Sequence, residues 1–377
     1  MQDVVIIGAG LAQLTLAIAL QQQGLNAQLF TQTPAEDANA QGWVLSPQAL
    51  GVLAQYGVAD ALLQRGNRLT RLGAENPRGV QLSRLDLAAG SAQPAVAIHQ
   101  AALQHTLRTK LLPGTLHDGE HYVEHRPAGE RLQVQLDSGR VLATDLLVGG
   151  DHPCSALAPL VDPCQTAQPE KVHCWYGVSH RPLYRRLGHP TDSFFEAWGP
   201  GQRFGYVDLN SRETYWYAIC GLTEYQPRQM AALFTGWHAP VAGLLESTAS
   251  DAVGSTPLLK PPPLSTFHKD KVVLLNDATQ PTSPDLSCGA DVAVESAHDL
   301  ALALVRPGPL RDRLRLYSLR RAQRMQHRSR VQLSVDQLAG LRHPLACALR
   351  NVTMRLLPTG IVRRALDVLP EPNAYVV

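Results

Sequence analysis

Gly8, Gly10 and Gln13 stand between the apolar run Asp3-Val4-Val5-Ile6-Ile7 and a helical stretch over 14–23. A tight turn joining a buried strand to a helix start is suited to holding phosphate. Backbone N–H groups and the positive end of the helix converge there on an anion. A dinucleotide fingerprint asks for glycine at three places. The first makes the turn, the second lets the backbone approach the pyrophosphate, and the third lets helix and strand pack closely. The third place is Gln13. The next strand, over 27–30, should end in an Asp or Glu for the ribose hydroxyls, about 20 residues on. It ends in Thr31. The chain therefore keeps the architecture of a nucleotide site and changes two of its contacts.

Composition narrows the classes. A chain of 377 residues with 45% hydrophobic content can bury a large core, and its length fits two intertwined domains. A net charge of +2 with 18% charged residues argues against a nucleic-acid partner, whose basic surplus would be larger and localised. Met1 leads straight into a core strand, and no apolar run approaches the ~18 residues needed to span a membrane. The expectation is a cytoplasmic enzyme, monomeric or homodimeric. Cys154, Cys164, Cys174, Cys220, Cys288 and Cys347 form no CxxC pair or metal spacing, which suits reduced core thiols.

Two textures alternate along the chain. Residues 1 to about 70 read as βαβ followed by helices, with Ser46-Pro47-Gln48-Ala49-Leu50 as N-cap and first turn of one of them. A helical stretch covers 98–112. Leu132-Gln133-Val134-Gln135-Leu136 alternates like a half-buried strand, with a hairpin turn at Asp137-Ser138-Gly139. From about 170 to 265 the segments become aromatic, as in Phe194-Phe195-Glu196-Ala197-Trp198 and Glu213-Thr214-Tyr215-Trp216-Tyr217, and look like a separate antiparallel sheet. Lys271-Val272-Val273-Leu274-Leu275 is again a buried strand, followed by a long helix over 289–305.

These stretches, with Leu147-Val148-Gly149-Gly150-Asp151, Trp198-Gly199-Pro200-Gly201-Gln202-Arg203-Phe204-Gly205-Tyr206, Val273-Leu274-Leu275-Asn276-Asp277-Ala278-Thr279-Gln280-Pro281 and Leu341-Arg342-His343-Pro344-Leu345, carry a resemblance over essentially the whole length. The chain resembles the single-component FAD-dependent monooxygenases of the aromatic hydroxylase group, in the urate hydroxylase, salicylate hydroxylase and zeaxanthin epoxidase branch. The likeness implies an α/β fold: a Rossmann-like FAD-binding domain of the GR2 type over 1–70, 98–165 and 266–310. An inserted antiparallel sheet over 71–97 and 166–265 would cover the substrate, and helices would fill 311–377. It also implies noncovalent FAD reduced by NAD(P)H, and oxygenation of a hydrophobic small molecule. The flavin contacts would fall on Gly8, Gly10, Gln13, Thr31, Gln100, Asp151, Asp277, Pro281 and Gly289.

Several of those positions depart from the family pattern. Gln13 replaces a glycine and Thr31 an acid. The helix that should open His-Arg opens His99-Gln100, the Asp-Gly pair is Asp151-His152, and the Gly-Asp pair is Asn276-Asp277. The usual His-Pro is Gln280-Pro281, and the Gly-Gln-Gly turn behind the flavin ring is Ser287-Cys288-Gly289. Losing a carboxylate from the ribose and an arginine from the cofactor costs about two to four decades of affinity, at roughly 1.5 to 3 kcal/mol per charged hydrogen bond. Retained Asp151 and Asp277 pull the other way.

On this reading the favoured working enzyme uses no cofactor. A flavin site that has gained Asp285, Cys288 and Asp291, with His152 on the neighbouring motif, offers general acid/base chemistry, because burial raises a carboxyl pKa toward neutrality. Cyclisation, rearrangement or isomerisation would follow. Asp285 also fits a solvated turn after Pro284, and Asp291 a helix N-terminal charge complementing the dipole. FAD-dependent hydroxylation or epoxidation with NAD(P)H is the alternative, and a noncatalytic ligand-binding protein a third. Trp175, Phe195, Trp198, Tyr206, Tyr215 and Tyr217 are the candidate pocket walls, although alternation along strands places about half of them away from any one cavity. The eight arginines over 311–330 read as a solvated helix face.

Overall fold

The computed structural model describes residues 3–32, 41–87, 93–150, 157–161, 168–180, 190–221, 226–260, 266–275, 288–358 and 360. Its first layer is a six-stranded sheet in the order β18 (His268–Lys269), β19 (Val272–Leu274), β12 (Leu146–Gly149), β1 (Asp3–Ile7), β2 (Asn26–Thr31), β8 (Leu116–Asp118). All neighbours run parallel except the β18–β19 pair. Parallel strands must be covered on both faces, so the apolar runs seen in the sequence belong at their centre. On one face lie α1 (Leu11–Gln22), α4 (Gln100–Arg108) and α8 (Cys288–Leu304), with α2 (Pro47–Gln55) and α3 (Ala59–Arg65) in the same core. The other face is covered by α5 (Ala158–Val161) and by a three-stranded sheet of β11 (Val141–Thr144), β10 (Arg131–Leu136) and β9 (Tyr122–Ala128).

The second layer is a seven-stranded sheet ordered β17 (Gly254–Lys260), β13 (Gln168–Ser179), β16 (Thr214–Cys220), β15 (Arg203–Asp208), β14 (Ser193–Trp198), β5 (Arg71–Glu75), β6 (Gln81–Asp86). Its pairs are antiparallel except β14 with β5, which run parallel and join segments more than a hundred residues apart. A small sheet of β3 (Gly42–Leu45), β7 (Ala95–His99) and β4 (Asn67–Leu69) bridges the two layers. Every residue of β15 and β16 is buried, because both faces of the sheet are covered. Tyr176, Phe194, Tyr215 and Tyr217 pack toward Leu69, Ala95 and Ala97 of the bridging sheet. Trp175, Phe204, Tyr206 and Trp216 pack the opposite way, under α6 (Pro227–Leu233) and α7 (Val241–Ser247).

The chain closes with α9 (Leu310–Ala339) and α10 (Pro344–Leu356). The arginine-rich stretch of α9 is only partly the solvated face its composition suggests. Arg321 is fully buried between Glu295 (3.7 Å) and Asp299 (3.4 Å) of α8, and Arg324 reaches Asp299 at 2.8 Å. Arg313 donates to the Leu304 carbonyl at 2.7 Å. A period of 3.6 turns one arginine face inward onto acids placed at the same period on α8.

Candidate cofactor and substrate site

The phosphate loop is built as its glycines suggest. Gly8 takes φ +103°, a conformation side chains rarely adopt, and its N–H donates to the Phe30 carbonyl at 2.7 Å. Gly10 is the N-cap of α1, with extended backbone and no side chain capping the helix. Ten consecutive residues, Leu11 to Leu20, are buried, so the helix is sunk into the core and its N-terminus is fixed against β1. Gln13 lies in the first turn, fully buried, and among the described residues neither its Oε1 nor its Nε2 has a partner. Thr31 ends β2 in a buried position, and its carbonyl accepts from the N–H groups of Gly119 (2.8 Å) and Glu120 (3.2 Å).

A second junction forms where the bridging sheet meets α4. His99 is the N-cap of α4, its Nδ1 accepting from the Ala101 N–H at 3.2 Å. The Gln100 N–H donates to the Gln41 carbonyl at 2.9 Å, while the buried Oε1 of Gln100 has no partner among the described residues. The Gln41 side chain in turn hydrogen-bonds Tyr176, whose hydroxyl is held above its ordinary pKa by burial. Beside it, Gly42 lets the aromatic sheet close on β3, because a Cβ there would meet the Tyr215 ring at 2.5 Å. The start of α4 and the aromatic face are thereby brought together.

Of the acid/base candidates, Asp291 acts structurally, its Oδ1 accepting the Ser46 backbone N–H at 3.0 Å. Ser46 is the N-cap of α2, its Oγ accepting from the Ala49 N–H at 3.2 Å, so Asp291 ties α8 to that cap. Gly289 lies in the first turn of α8. Asp151, His152, Asp277, Pro281 and Asp285 fall outside the described residues, as does the side chain of Cys288.

The aromatic candidates divide by strand alternation. Tyr215 and Tyr217 face the bridging sheet. Trp175, Phe195 and Tyr206 face α6 and α7 on the far side. Trp198 packs with Ala74, Leu82 and Ala339. Between these aromatics lies a buried charge cluster that periodicity alone does not reveal. Glu196 accepts from Trp198 Nε1 (2.7 Å), Arg203 Nε (2.8 Å) and the Tyr217 hydroxyl (2.8 Å), and Arg203 also reaches Asp336 at 2.8 Å. The available signal was one carboxylate inside Phe194-Phe195-Glu196-Ala197-Trp198. A charge with apolar residues on both sides is retained only when paired. On the far side Glu75 receives the Tyr206 hydroxyl at 3.2 Å and lies 3.3 Å from His238 Nε2. Burial lifts its carboxyl to about 7, against the opposing hydrogen bond from Tyr206.

A strand–glycine–helix cradle beside an aromatic sheet defines an α/β protein of the dinucleotide-binding class. Residues 1–330 match the model of the FAD binding domain, and the chain belongs to that family of flavoprotein monooxygenases. It is 30% identical to the aurachin C monooxygenase/isomerase of Stigmatella aurantiaca over 97% of this chain and 98% of that protein. The 2-heptyl-3-hydroxy-4(1H)-quinolone synthase of Pseudomonas aeruginosa is 27% identical, with 96% of each chain covered. Among solved structures, Klebsiella pneumoniae HpxO complexed with FAD and uric acid superposes with a TM-score of 0.87 at 21% identity, covering 98% of this chain and 97% of that one. That likeness shows the fold, including the sheets and the carboxy-terminal helices. Among the described residues, no helix is long and apolar enough to cross a membrane.

The donor set can be tested against FAD. Gly8, Gly10 and the start of α1 offer the turn and helix end that take a pyrophosphate. Gln13, Thr31 and Gln100 offer neutral amide and hydroxyl groups where charged or absent side chains are the family pattern. Gln13 and Gln100 hold buried polar atoms with no partner among the described residues. An unsatisfied buried amide costs about 1–3 kcal/mol, and the Gln13 side chain, with no exposure at all, belongs to the packing of helix on strand rather than to an open site. The glycine turn and helix end fit the pyrophosphate of FAD, while Thr31 and Gln100 are neutral residues where the family pattern has charged ones.

Proposed function

We propose that the protein is a tailoring monooxygenase that keeps FAD and acts on a lipophilic, hydroxylated aromatic or heteroaromatic ring. The observation that carries this reading is the retained strand–glycine–helix turn, with Gly8 at φ +103° and Gly10 capping α1, in a chain whose residues 1–330 match the FAD binding domain. The substrate class rests on the relatives' names, an aurachin and a heptyl quinolone, together with the tyrosines on the inner sheet face.

Bound FAD, reduced by NAD(P)H, would supply the activated oxygen. The chain's own residues position and shield. Gly8, Gly10 and the first turn of α1 hold the pyrophosphate end, Thr31 the ribose, and Gln100 the segment next to Gln41 and Tyr176. Tyr215 and Tyr217 form the packed inner sheet face behind the substrate space, and Glu196, paired with Arg203, accepts the Tyr217 hydroxyl. Asp151, Asp277, Pro281 and Gly289 complete the flavin set by the family pattern.

A second reading is FAD-independent isomerisation, in which Asp285 and His152 carry the proton and Cys288 has a lesser part. The neutral residues at three charged or glycine positions favour it, and the paired name of the Stigmatella relative joins isomerisation to oxygenation. One experiment separates the two. Purified protein, desalted and scanned, should show flavin absorbance or gain it stoichiometrically on titration with FAD, and turnover should require NAD(P)H and oxygen. Colourless protein that does not bind added FAD, turns over anaerobically and loses about two to four decades of turnover as Asp285→Asn would establish the isomerase instead.

A further inference from the structure

One face of α10 carries apolar side chains that no other part of the described structure covers. Leu345, Leu349, Val352 and Leu356 are 75%, 69%, 54% and 77% exposed. Their spacing of four, three and four residues puts them on a single side of the helix. Ala348 is exposed with them, and the stripe runs about 16 Å along the axis at 1.5 Å per residue. The opposite side is the one that docks. Cys347 and Arg350 are buried, Met354 packs on the Trp198 cluster, and Arg350 donates to the carbonyls of Leu338 (3.1 Å) and Trp198 (3.1 Å). The stripe is left open by the described residues, and large apolar side chains grouped this way mark an interaction surface.

Charge and size identify the occupant. Residues 337–360 contain no Asp or Glu, while Arg342 and His343 just before the helix and Arg355 in its last turn are exposed. Apolar side chains with flanking arginines on a helix lying along a surface match an anionic lipid headgroup layer. A second copy of the chain fits less well, because four side chains are far fewer than the roughly 20–30 residues a side that a stable dimer uses. We infer that α10 rests on an anionic bilayer surface, with Leu345, Leu349, Val352 and Leu356 sunk into the headgroup boundary and Arg342 and Arg355 at the phosphates. This surface is independent of the cofactor question.

The test is co-sedimentation of full-length protein with vesicles of phosphatidylcholine and phosphatidylglycerol in equal parts, beside vesicles of phosphatidylcholine alone. Wild-type protein should pellet with the mixed vesicles, bind the neutral ones more weakly, and be released by salt. The variant Leu345→Ser/Leu349→Ser/Val352→Ser/Leu356→Ser changes only exposed positions, and an unchanged circular dichroism spectrum and melting temperature would verify its fold. Its partitioning should fall by at least about tenfold. Arg355→Gln should weaken binding to the mixed vesicles and not to the neutral ones. Wild-type protein left in the supernatant, or a serine variant that pellets equally well, would overturn the inference. So would a dimer on gel filtration that the serine variant abolishes, which would assign the stripe to a second copy.

Discussion

Glu75 and Gln13 are buried polar residues with opposite consequences. The Glu75 carboxyl titrates at about 7 rather than at its ordinary 4.5, because burial disfavours the charged form. A raised pKa in the folded state gives stability that is fully present below the unfolded value and is lost as the pH climbs through the folded one. Tyr206 and His238 face this carboxyl. Wild-type protein should therefore lose stability between about pH 4.5 and 7, and Glu75→Gln should flatten that part of the profile. Urea midpoints at pH 5 and pH 8 for the two proteins would check it, and parallel profiles would refute it. Gln13 poses the complementary case. Replacing it with leucine removes two unpartnered polar atoms from the core and should stabilise the cofactor-free protein by about 1–3 kcal/mol. The same change should leave FAD affinity, measured by fluorescence titration, unaltered, because the side chain has no exposed atom at the site. A Gln13→Leu protein that loses FAD would show that the amide reaches the cofactor.

At the level of elements, the interface of α8 with α9 gives the sharpest contrast. Arg321 is buried among Glu295, Asp299 and Arg324, whereas Arg315 is exposed on the same helix. Truncating a buried ion-pair partner costs about 3–5 kcal/mol, while an exposed substitution stays within about 0.5 kcal/mol. Arg321→Ala should thus lower the denaturant midpoint strongly and Arg315→Ala hardly at all; equal effects would place both on a solvated face. The arginine stretch also marks where sequence reading stopped. Eight arginines at helical spacing predict a helix, but which of them turn inward depends on acids of α8 that periodicity does not pair with them. The parallel nucleotide strands and the Ser46 cap were legible because apolar runs and N-cap chemistry are local signals. Glu196, Arg203 and the approach of Tyr215 to Gly42 were not, since they exist only once distant strands pair. Alternation along β13 to β16 predicted that the aromatics would split between two faces, without saying which face meets the nucleotide layer.

For the molecule as a whole, the two layers are laced together by chain order. β1 and β2 are made first, yet their parallel neighbours on the other side, β12 and β19, come from residues 146–149 and 272–274. The aromatic sheet is likewise completed only when β14 finds β5. The cradle formed by Gly8 and Gly10 thus exists in outline while its far wall has still to be synthesised. From Thr31 at the end of β2 to Val272 at the start of β19 is about 240 residues, or tens of seconds on a ribosome working at roughly 5–20 residues per second. The edge of β1 waits for β12 until residue 146, and the edge of β12 then waits for β19 until residue 272, so an apolar strand edge stays open for most of synthesis, the kind of surface that favours aggregation. On the proposed reading that FAD is kept, its capture falls late in synthesis, after β19 is made, and flavin supply during expression should then raise yield as well as colour.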